Sequence, residues 1–296
     1  MRGQTRRKRI RLNVFDVLIY FFLILFASIT LYPFLNVVAT SLSPMPEYLK
    51  HPLMIFPRDI TLDTYALIFR MGDIWSGYAN TLIVAGASAA ISIVLTVATA
   101  YPLSRKNLKG RKIFIIYLMF TMLFNGGMIP NFILVRSLGL YDTLWALILP
   151  GCMGAWGVFI MQNFISATPE SLRESAFLDG AGELRVLVQI VAPLIGPAIA
   201  YLILTSVVGS WNSYFSAMIY LRDRGKWPLQ LMLREILLAG NAHMNTQDAV
   251  SETDVYFTFF NIKTANIVIS ILPIICVYPF LQKYFVKGVM VGSVKG

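Results

Sequence analysis

The chain has 296 residues, of which 57% are hydrophobic and 14% are charged, and its net charge is +10. Soluble domains carry about 25% charged residues, and a core of ordinary size cannot hide so much apolar surface, so the composition excludes a soluble globular protein and predicts a membrane protein. The positive charge is interpreted as a signal of membrane topology, and nucleic acid is not expected as a partner.

Six apolar segments are long enough to cross a bilayer, which takes about 20 residues of helix. In chain order they are 14–40, 78–103, 113–135, 143–166, 186–209 and 264–286. The second is rich in Ala, Gly and Ser, which allow close helix packing and favour a place inside the helix bundle. The predicted fold class is therefore all-α, a polytopic membrane protein with six transmembrane helices, in which residues 1–296 form a single transmembrane domain.

The Lys and Arg residues are divided unequally between the two sides of these spans. One side, which includes both termini, carries 16 of the 25 basic residues in the segments 1–13, 104–112, 167–185 and 282–296. The other side carries nine, spread over the segments 41–77, 136–142 and 219–263. Because short basic segments are retained in the cytoplasm, both termini are predicted to be cytoplasmic.

The sequence has neither the ligand spacing of a metal site nor the pattern of a phosphate-binding loop. Cys152 and Cys276 lie in apolar runs and are interpreted as small buried hydrophobic residues. His51 and His243 are far apart, and the phosphate-binding pattern Gly-x-x-x-x-Gly-Lys-Ser/Thr does not occur. The sequence therefore predicts no metal site, no cofactor and no enzymatic activity in this chain.

The segment between the fourth and fifth spans, "ATPESLRESAFLDGAGELR", interrupts the apolar pattern. It predicts a helix over 169–183, with Thr168 as the N-cap and Pro169 at the first helical position. Gly180 and Gly182 are expected to end or bend this helix. The product is a short amphipathic element outside the membrane, on the cytoplasmic side.

The residues alone leave three interpretations of this element. Its apolar face is predicted to hold Leu172, Ala176 and Phe177, with Arg173 and Glu174 pointing elsewhere. It could lie among lipid headgroups, although its net acidity disfavours the anionic inner leaflet. It could be a solvated connector, or it could dock on a soluble partner, an interpretation that its small residues favour because they allow close backbone approach.

Residues 174–193 resemble the cytoplasmic signature of ABC-importer permeases, which reads Glu-Ala-Ala, three residues, Gly, nine residues, Ile, one residue and Leu-Pro. The matching residues are Glu174-Ser175-Ala176, Gly180, Ile190 and Ala192-Pro193. Ser replaces the first Ala and Ala replaces the Leu, and both changes are small. Asp179-Gly180-Ala181 resembles the sequence usual in carbohydrate importers of the maltose type. The stretch 124–151 resembles the subgroup that imports complex oligosaccharides, and within it the chain is similar to the second permease of alginate-oligosaccharide importers.

This resemblance implies the type I ABC importer fold and ATP-driven import of an oligosaccharide, with an acidic one such as alginate as a candidate. Residues 169–183, here called the coupling element, would dock on a separate ATPase. The docking residues would be Glu174, Ser175, Ala176, Asp179, Gly180 and Ala181. The tail Gly292, Ser293, Val294, Lys295 and Gly296 would reach between two ATPase subunits, which would bind ATP and Mg.

The resemblance also implies the other partners and the location. A second, homologous permease would complete the pathway, an extracytoplasmic solute-binding protein would dock on outer loops such as 219–263, and lipid would surround the spans. The complex would lie in the bacterial cytoplasmic (inner) membrane.

Four residues near the third and fifth spans are candidates for substrate contact: Asn125, Trp211, Asn212 and Tyr214. Each has the hydrogen-bonding group or aromatic face that sugars need, and each could equally serve helix packing or the interfacial belt. Two other functions stay open: an ABC permease for another solute class, such as amino acids, and an ion-coupled secondary transporter. The latter predicts a buried carboxylate within the spans, where the sequence has scarcely any acid beyond Asp16 at the edge.

Overall fold

The structure is a computed structural model that describes residues 14–70, 73–244, 260–277 and 279. These residues form helices and turns, with no strand among them, so the predicted all-α class is confirmed. The helices from the first half of the described chain are α1 (Val14–Ser41), α2 (Met45–Lys50), α3 (Asp63–Arg70), α4 (Asp73–Leu103), α5 (Arg111–Leu123), α6 (Met128–Ser137) and α7 (Trp145–Ile148). They are followed by α8 (Ala155–Ser166), α9 (Glu170–Leu178), α10 (Glu183–Leu194), α11 (Gly196–Asn212), α12 (Phe215–Tyr220), α13 (Leu229–Met244) and α14 (Phe260–Val277).

Three of these helices, α1, α4 and α14, are each long and apolar enough to cross a membrane. The pairs α5–α6 and α10–α11 pass the same test only when each pair is taken as one bent span, which gives up to five spans in the described part of the chain. The count of six and the orientation of the termini stay predictions, and the predicted sixth span extends past the described residues.

The predicted third span is broken between α5 and α6, whose axes differ by 114°. The sequence Asn125-Gly126-Gly127 causes the break. The Asn125 Oδ1 atom accepts a hydrogen bond from the Gly127 amide at 2.9 Å, and Gly127 has a φ of +88°, which a residue with a Cβ rarely adopts. The chain therefore turns where a straight helix was predicted.

The predicted fourth and fifth spans are also interrupted. Between α7 and α8 the chain passes through Pro150, Gly151 and Gly154, which leaves α8 with 12 residues. A helix of that length is about 18 Å long, shorter than the hydrocarbon core. At the fifth span, α10 and α11 are bent by 81° beside Ile195, between two prolines that lack amide donors.

The described residues belong to two compact units. One contains residues up to Ile68 and Met244–Val268, and the other contains Phe69–His243 and the residues from Ile269 onwards. In the first unit, the Asn36 amide donates to the carbonyl oxygens of Pro52 and Met54, at 3.0 and 2.9 Å. The interpretation of 1–296 as one transmembrane domain stays a prediction.

The core of the larger unit lies where α4 packs against α8 and α11. Val158, Met161 and Ile165 from α8 are fully buried there. A Cβ on Gly157 would lie 3.0 Å from a methyl carbon of Leu202, so this glycine allows α8 and α11 to approach closely. The small residues Ala85, Ser88 and Ala89 of α4 are also buried, whereas Gly86 and Ala90 are exposed, so one face of this helix is internal within the chain.

The two cysteines differ. Cys152 is buried as predicted, whereas the prediction for Cys276 is wrong, because it is exposed on α14. An apolar run on a membrane helix can face lipid as readily as protein, so apolar neighbours in the sequence do not establish burial.

Candidate functional site

The coupling element consists of α9 and the turn that leads to α10. Helix α9 ends where Gly180 adopts a φ of +80°. The Gly180 amide donates to the Phe177 carbonyl at 3.0 Å, and the Ala181 amide donates to the Ala176 carbonyl at 2.9 Å. This is the Schellman pattern, which favours glycine at the left-handed position. The predicted helix end at Gly180 is confirmed, and the helix covers Glu170–Leu178 rather than all of 169–183.

Most of the predicted docking residues are exposed. Glu174, Ser175, Asp179 and Gly180 are exposed, Ala181 is half-buried, and Ala176 is buried against the core. The two carboxylates and the glycine turn are therefore accessible from outside the chain. That a partner docks there stays a prediction.

Two local predictions for α9 are wrong. Pro169, not Thr168, occupies the N-cap position, and the Thr168 hydroxyl donates backward to the Ile165 carbonyl at 2.6 Å. Arg173 lies on the buried face with Ala176, three residues on, and is only 6% exposed. Its closest ion pair is with Glu170 at 3.6 Å, and its Nε and Nη1 atoms have no hydrogen-bond partner. Helical spacing gave the wrong buried face because the charged Arg173 lies on the side of α9 where apolar residues were expected.

A polar cluster that the sequence did not indicate holds the coupling element to α4. The Glu183 Oε2 atom accepts hydrogen bonds from the Tyr101 hydroxyl at 2.6 Å and from the Arg105 Nη2 atom at 2.7 Å. The same Nη2 atom lies 2.7 Å from the Tyr101 oxygen, and the guanidinium lies 5.7 Å from the centre of the Phe177 ring. We call Tyr101, Arg105 and Glu183 the tether.

The four predicted pathway residues do not come together around one cavity. Asn125 forms the turn between α5 and α6, and Asn212 is exposed at the end of α11. Trp211 is buried, its Nε1 atom donates to the Ser270 carbonyl at 3.0 Å, and it lines an apolar cavity of about 200 Å³. Tyr214 is exposed, and the Arg234 guanidinium lies 5.0 Å from the centre of its ring. Asn125, Trp211 and Tyr214 each contact other residues of this chain.

A different set of residues lines a polar cavity of about 460 Å³ in the larger unit, between α4, α6, α11 and α12. We call it the polar cleft. Its polar side chains are Ser88, Asn131, Thr205, Ser206, Ser210, Ser213, Ser216 and Tyr220. A second cavity of about 230 Å³, which includes Ser92 and Thr96, shares Gly151, Thr205 and Ser206 with it. The sequence did carry a signal, since hydroxyl residues recur at helical spacing from 205 to 213 within an apolar segment.

A further polar cluster connects the loop at Asp142 with the loop after α12. The Asp142 Oδ1 atom accepts hydrogen bonds from the amides of Arg222 and Asp223, both at 3.0 Å, and its Oδ2 atom lies 3.1 Å from the Lys226 Nζ atom. The Asp223 amide bond and then the other contacts hold the pKa of Asp142 below its ordinary value, and the Asp142 carboxylate raises the pKa of Lys226. Asp142 has a φ of +58°, a region that Asp tolerates better than most residues.

The described residues form helices, several of them of membrane length, and an exposed helix-turn carries the Glu-Ser-Ala and Gly pattern, as the resemblance to importer permeases implies. Residues 92–291 match the family described as the binding-protein-dependent transport system inner membrane component, and the chain belongs to this family. It is thus a transport subunit of the inner membrane with the ABC importer permease fold.

Similar proteins include several sugar permeases. The polygalacturonan/rhamnogalacturonan transport system permease protein YtcP of Bacillus subtilis is 41% identical, over 96% of this chain and 99% of YtcP. The arabinooligosaccharides transport system permease protein AraQ of Halalkalibacterium halodurans is 28% identical, over 91% of this chain and 93% of AraQ. A solved chain of a bacterial ABC transporter involved in the import of the acidic polysaccharide alginate has a TM-score of 0.81 and 31% identity, over 96% of this chain and all of that chain.

Proposed function

We propose that this chain is one permease of an ATP-driven oligosaccharide importer and forms half of its translocation pathway. The single observation that carries the proposal is the exposed helix-turn with Glu174 and Gly180, in a chain of the binding-protein-dependent family. Its similarity over nearly the whole chain to permeases named for polygalacturonan and arabinooligosaccharides supports a carbohydrate as the solute.

In this proposal the coupling element receives movement from a separate ATPase dimer, which binds ATP and Mg. The Glu174 carboxylate pairs with a basic group of the ATPase, and the left-handed turn at Gly180 lets the backbones approach closely. The tether then connects this movement to α4, because both Tyr101 and Arg105 bond the same carboxylate oxygen of Glu183. Helix α4 is packed against α8 and α11, so a displacement of its end is passed to the core of the unit.

The remaining subunits follow from the family's mode of transport. A second homologous permease supplies the other half of the pathway, since ligand sites of transporters lie at the interface of two such halves. A solute-binding protein docks on the outer loops, including 219–263, and both termini with the coupling element face the cytoplasm across six spans. The tail 292–296, which lies outside the described residues, reaches between the ATPase subunits.

An acidic oligosaccharide such as alginate is the candidate substrate, in line with the solved alginate importer chain. A permease for amino acids or another solute would use the same coupling element and differ in the pathway. An ion-coupled secondary transporter would need a buried carboxylate, and among the described residues Arg173 is the only charged side chain that is buried. The importer is therefore the function that we propose.

Replacing Glu174 by Arg or Gly180 by Trp tests the proposal. Both positions are exposed, so each variant is expected to insert in membranes and assemble with its partners, while ATP hydrolysis no longer drives uptake. Gly180→Trp also loses some stability, because Gly180 has a φ of +80°, so the amount of assembled complex is measured for both variants. The isosteric variant Glu174→Gln serves as the matched control and is expected to show an intermediate loss, because it removes the charge without reversing it. Normal oligosaccharide uptake by Glu174→Arg and Gly180→Trp would contradict the proposal.

A further inference from the structure

Helix α14 contains a proline, Pro273, within its described length. A proline in the interior of a helix has no amide to donate, so the carbonyl four residues earlier, that of Ile269, loses its usual partner. In a membrane such a carbonyl needs a donor from elsewhere in the protein, because lipid supplies none. The packing around Ile269 therefore determines how firmly this part of α14 is held.

Two aromatic side chains from neighbouring helices donate to the backbone of α14 at this point. The Tyr78 hydroxyl of α4 donates to the Ile269 carbonyl at 3.0 Å. The Trp211 indole of α11, which is buried, donates to the next carbonyl, that of Ser270, also at 3.0 Å. The two rings are neighbours, with centres 6.2 Å apart. Hydrogen bonds from α4 and α11 thus fix the backbone of α14 just before Pro273.

The apolar cavity of about 200 Å³ lies beside these two hydrogen bonds, between α4, α11 and α14. Apart from Tyr78 and Trp211, whose polar atoms are bonded to α14, its lining side chains are apolar and cannot hold an ordered water. On the α14 side it is lined by Pro273, Ile274 and Val277. Packed interiors have few voids larger than a water molecule, so this space allows α14 to shift where its own backbone hydrogen bonding is interrupted.

We propose that Tyr78 and Trp211 are positioning residues for transport: they hold α14 at Pro273, and the segment 273–277 moves into the apolar cavity during the transport cycle. The proposal deepens the proposed function and rests on it. Tyr78 lies on the same helix as Tyr101 of the tether, about 35 Å away along α4. A displacement of the coupling element is thereby passed along α4 to α14. Trp211 has this role instead of the sugar contact that its residue type suggested.

The Tyr78→Phe substitution tests the positioning role in the full importer complex. It removes the hydroxyl and keeps the ring, so α14 is expected to leave its held position more readily. Stimulation of ATP hydrolysis by the solute-binding protein loaded with an alginate oligosaccharide is expected to fall about two- to tenfold, the effect of one lost hydrogen bond, because hydrolysis without that protein rises. Tyr65→Phe is the matched control, since it removes the hydrogen bond of Tyr65 with the Ser41 hydroxyl in the other compact unit. Both variants are expected to lower the thermal midpoint, but an unchanged stimulation in Tyr78→Phe would overturn the proposal.

Filling the cavity tests the movement itself. Ala85 of α4 is buried and lines the cavity, so Ala85→Leu is expected to bury more apolar surface and to keep or raise the thermal midpoint. ATP-driven uptake of the alginate oligosaccharide is expected to fall about fivefold or more, because α14 would overpack the filled space. Val208→Ile is a smaller addition to the α11 wall and is expected to act in the same direction. Ala90→Leu, at an exposed position of α4, is the control and is expected to change neither quantity. Unchanged uptake in both filled variants would overturn the proposal.

A distance measurement separates this proposal from the proposed function. Spin labels are placed at Cys276, which is exposed on α14, and at Val94→Cys, which is exposed on α4, in a Cys152→Ser background of the full complex. Trapping with ATP and vanadate is expected to shift the mean distance between the labels by about 2 Å or more. Labels at Val94 and at the exposed Asn163 of α8 are expected to keep their distance, because α4 and α8 pack together in the core. A shift without ATP-driven uptake would refute the proposed function and keep the movement of α14, whereas uptake without a shift would refute the movement and keep the function.

Discussion

The tether is predicted to hold the coupling element against the end of α4. The Glu183→Gln substitution keeps the shape of the side chain and its ability to accept from Tyr101, but it removes the charge that Arg105 contacts at 2.7 Å. If the tether holds the start of α10 to α4, this change is expected to let the turn from Asp179 to Val186 open more often.

The exposure of the Arg105 and Glu183 side chains determines how much their ion pair stabilises the turn. The Arg105 side chain is 23% exposed and the Glu183 side chain is 64% exposed, so water and salt screen the pair strongly. Exposed pairs of this kind contribute about 0.2–1 kcal/mol. We use the upper end of this range because the hydrogen bond between Arg105 and Glu183 is short and the Tyr101 hydroxyl donates to the same Glu183 oxygen. About 1 kcal/mol corresponds to roughly a fivefold change in the local opening equilibrium.

Amide hydrogen exchange of the segment 179–186 is the assay, since the Val186 amide is bonded to the Gly182 carbonyl at 3.0 Å and exchanges only when the turn opens. Glu183→Gln is expected to speed exchange about fivefold. Glu170→Gln is the matched control, because it removes a carboxylate that lines the same cavity as Glu183 and whose ion pair is with Arg173, at 3.6 Å. In the double variant with Arg105→Met, the two effects should not add. Exchange within twofold of the parent protein, or fully additive effects, would refute the reasoning.

Three other predictions concern residues whose backbone or burial is unusual. Asp142→Ala should increase amide hydrogen exchange at the 222–226 loop more than Asp142→Asn, because Asn keeps a hydrogen-bond acceptor. The pKa of Asp142 is lowered in the folded protein, so the stabilisation it gives is present at neutral pH and is lost as the pH falls below about 4. Exchange of this loop that does not depend on pH in this range, beyond the intrinsic chemistry of exchange, would contradict this. Gly180→Ala should lower the free energy of unfolding by about 1–2 kcal/mol, seen as a lower thermal midpoint, and Gly182→Ala should lower it less, because Gly180 has a positive φ and Gly182 does not. Equal effects of the two substitutions would contradict the left-handed turn at Gly180. Arg173→Met should leave the midpoint unchanged or raise it, because it removes a buried, poorly paired charge; a large decrease would show that the guanidinium has a stabilising partner.

The parts of the fold that local sequence determines were predictable. The uninterrupted apolar runs of α1 and α4 gave membrane-length helices, and the Asp-Gly sequence at 179–180 gave the end of α9. In both cases the physical cause lies within a few neighbouring residues. The breaks at 125–127 and 150–154 also have local causes, but an average over an apolar window hides the Gly and Pro residues that produce them.

The contacts between distant residues were not predictable. Tyr101 and Glu183 are separated by 82 positions, and nothing near either residue indicates that they meet. The burial of Arg173 depends on how α9 packs on the core, which helical spacing alone does not determine. The polar cleft was missed because single serines in apolar helices usually bond their own backbone, and only the packed structure shows that those at 206 and 210 do not.

The central claim, that ATP hydrolysis in a separate subunit drives sugar through this chain, is tested most directly by uptake of a labelled oligosaccharide into proteoliposomes that contain the purified complex. Uptake should require both the ATPase subunits and ATP on the side that carries the coupling element, and it should persist when ion gradients are abolished. Uptake by the permeases alone, or uptake that follows an ion gradient without ATP, would contradict the account.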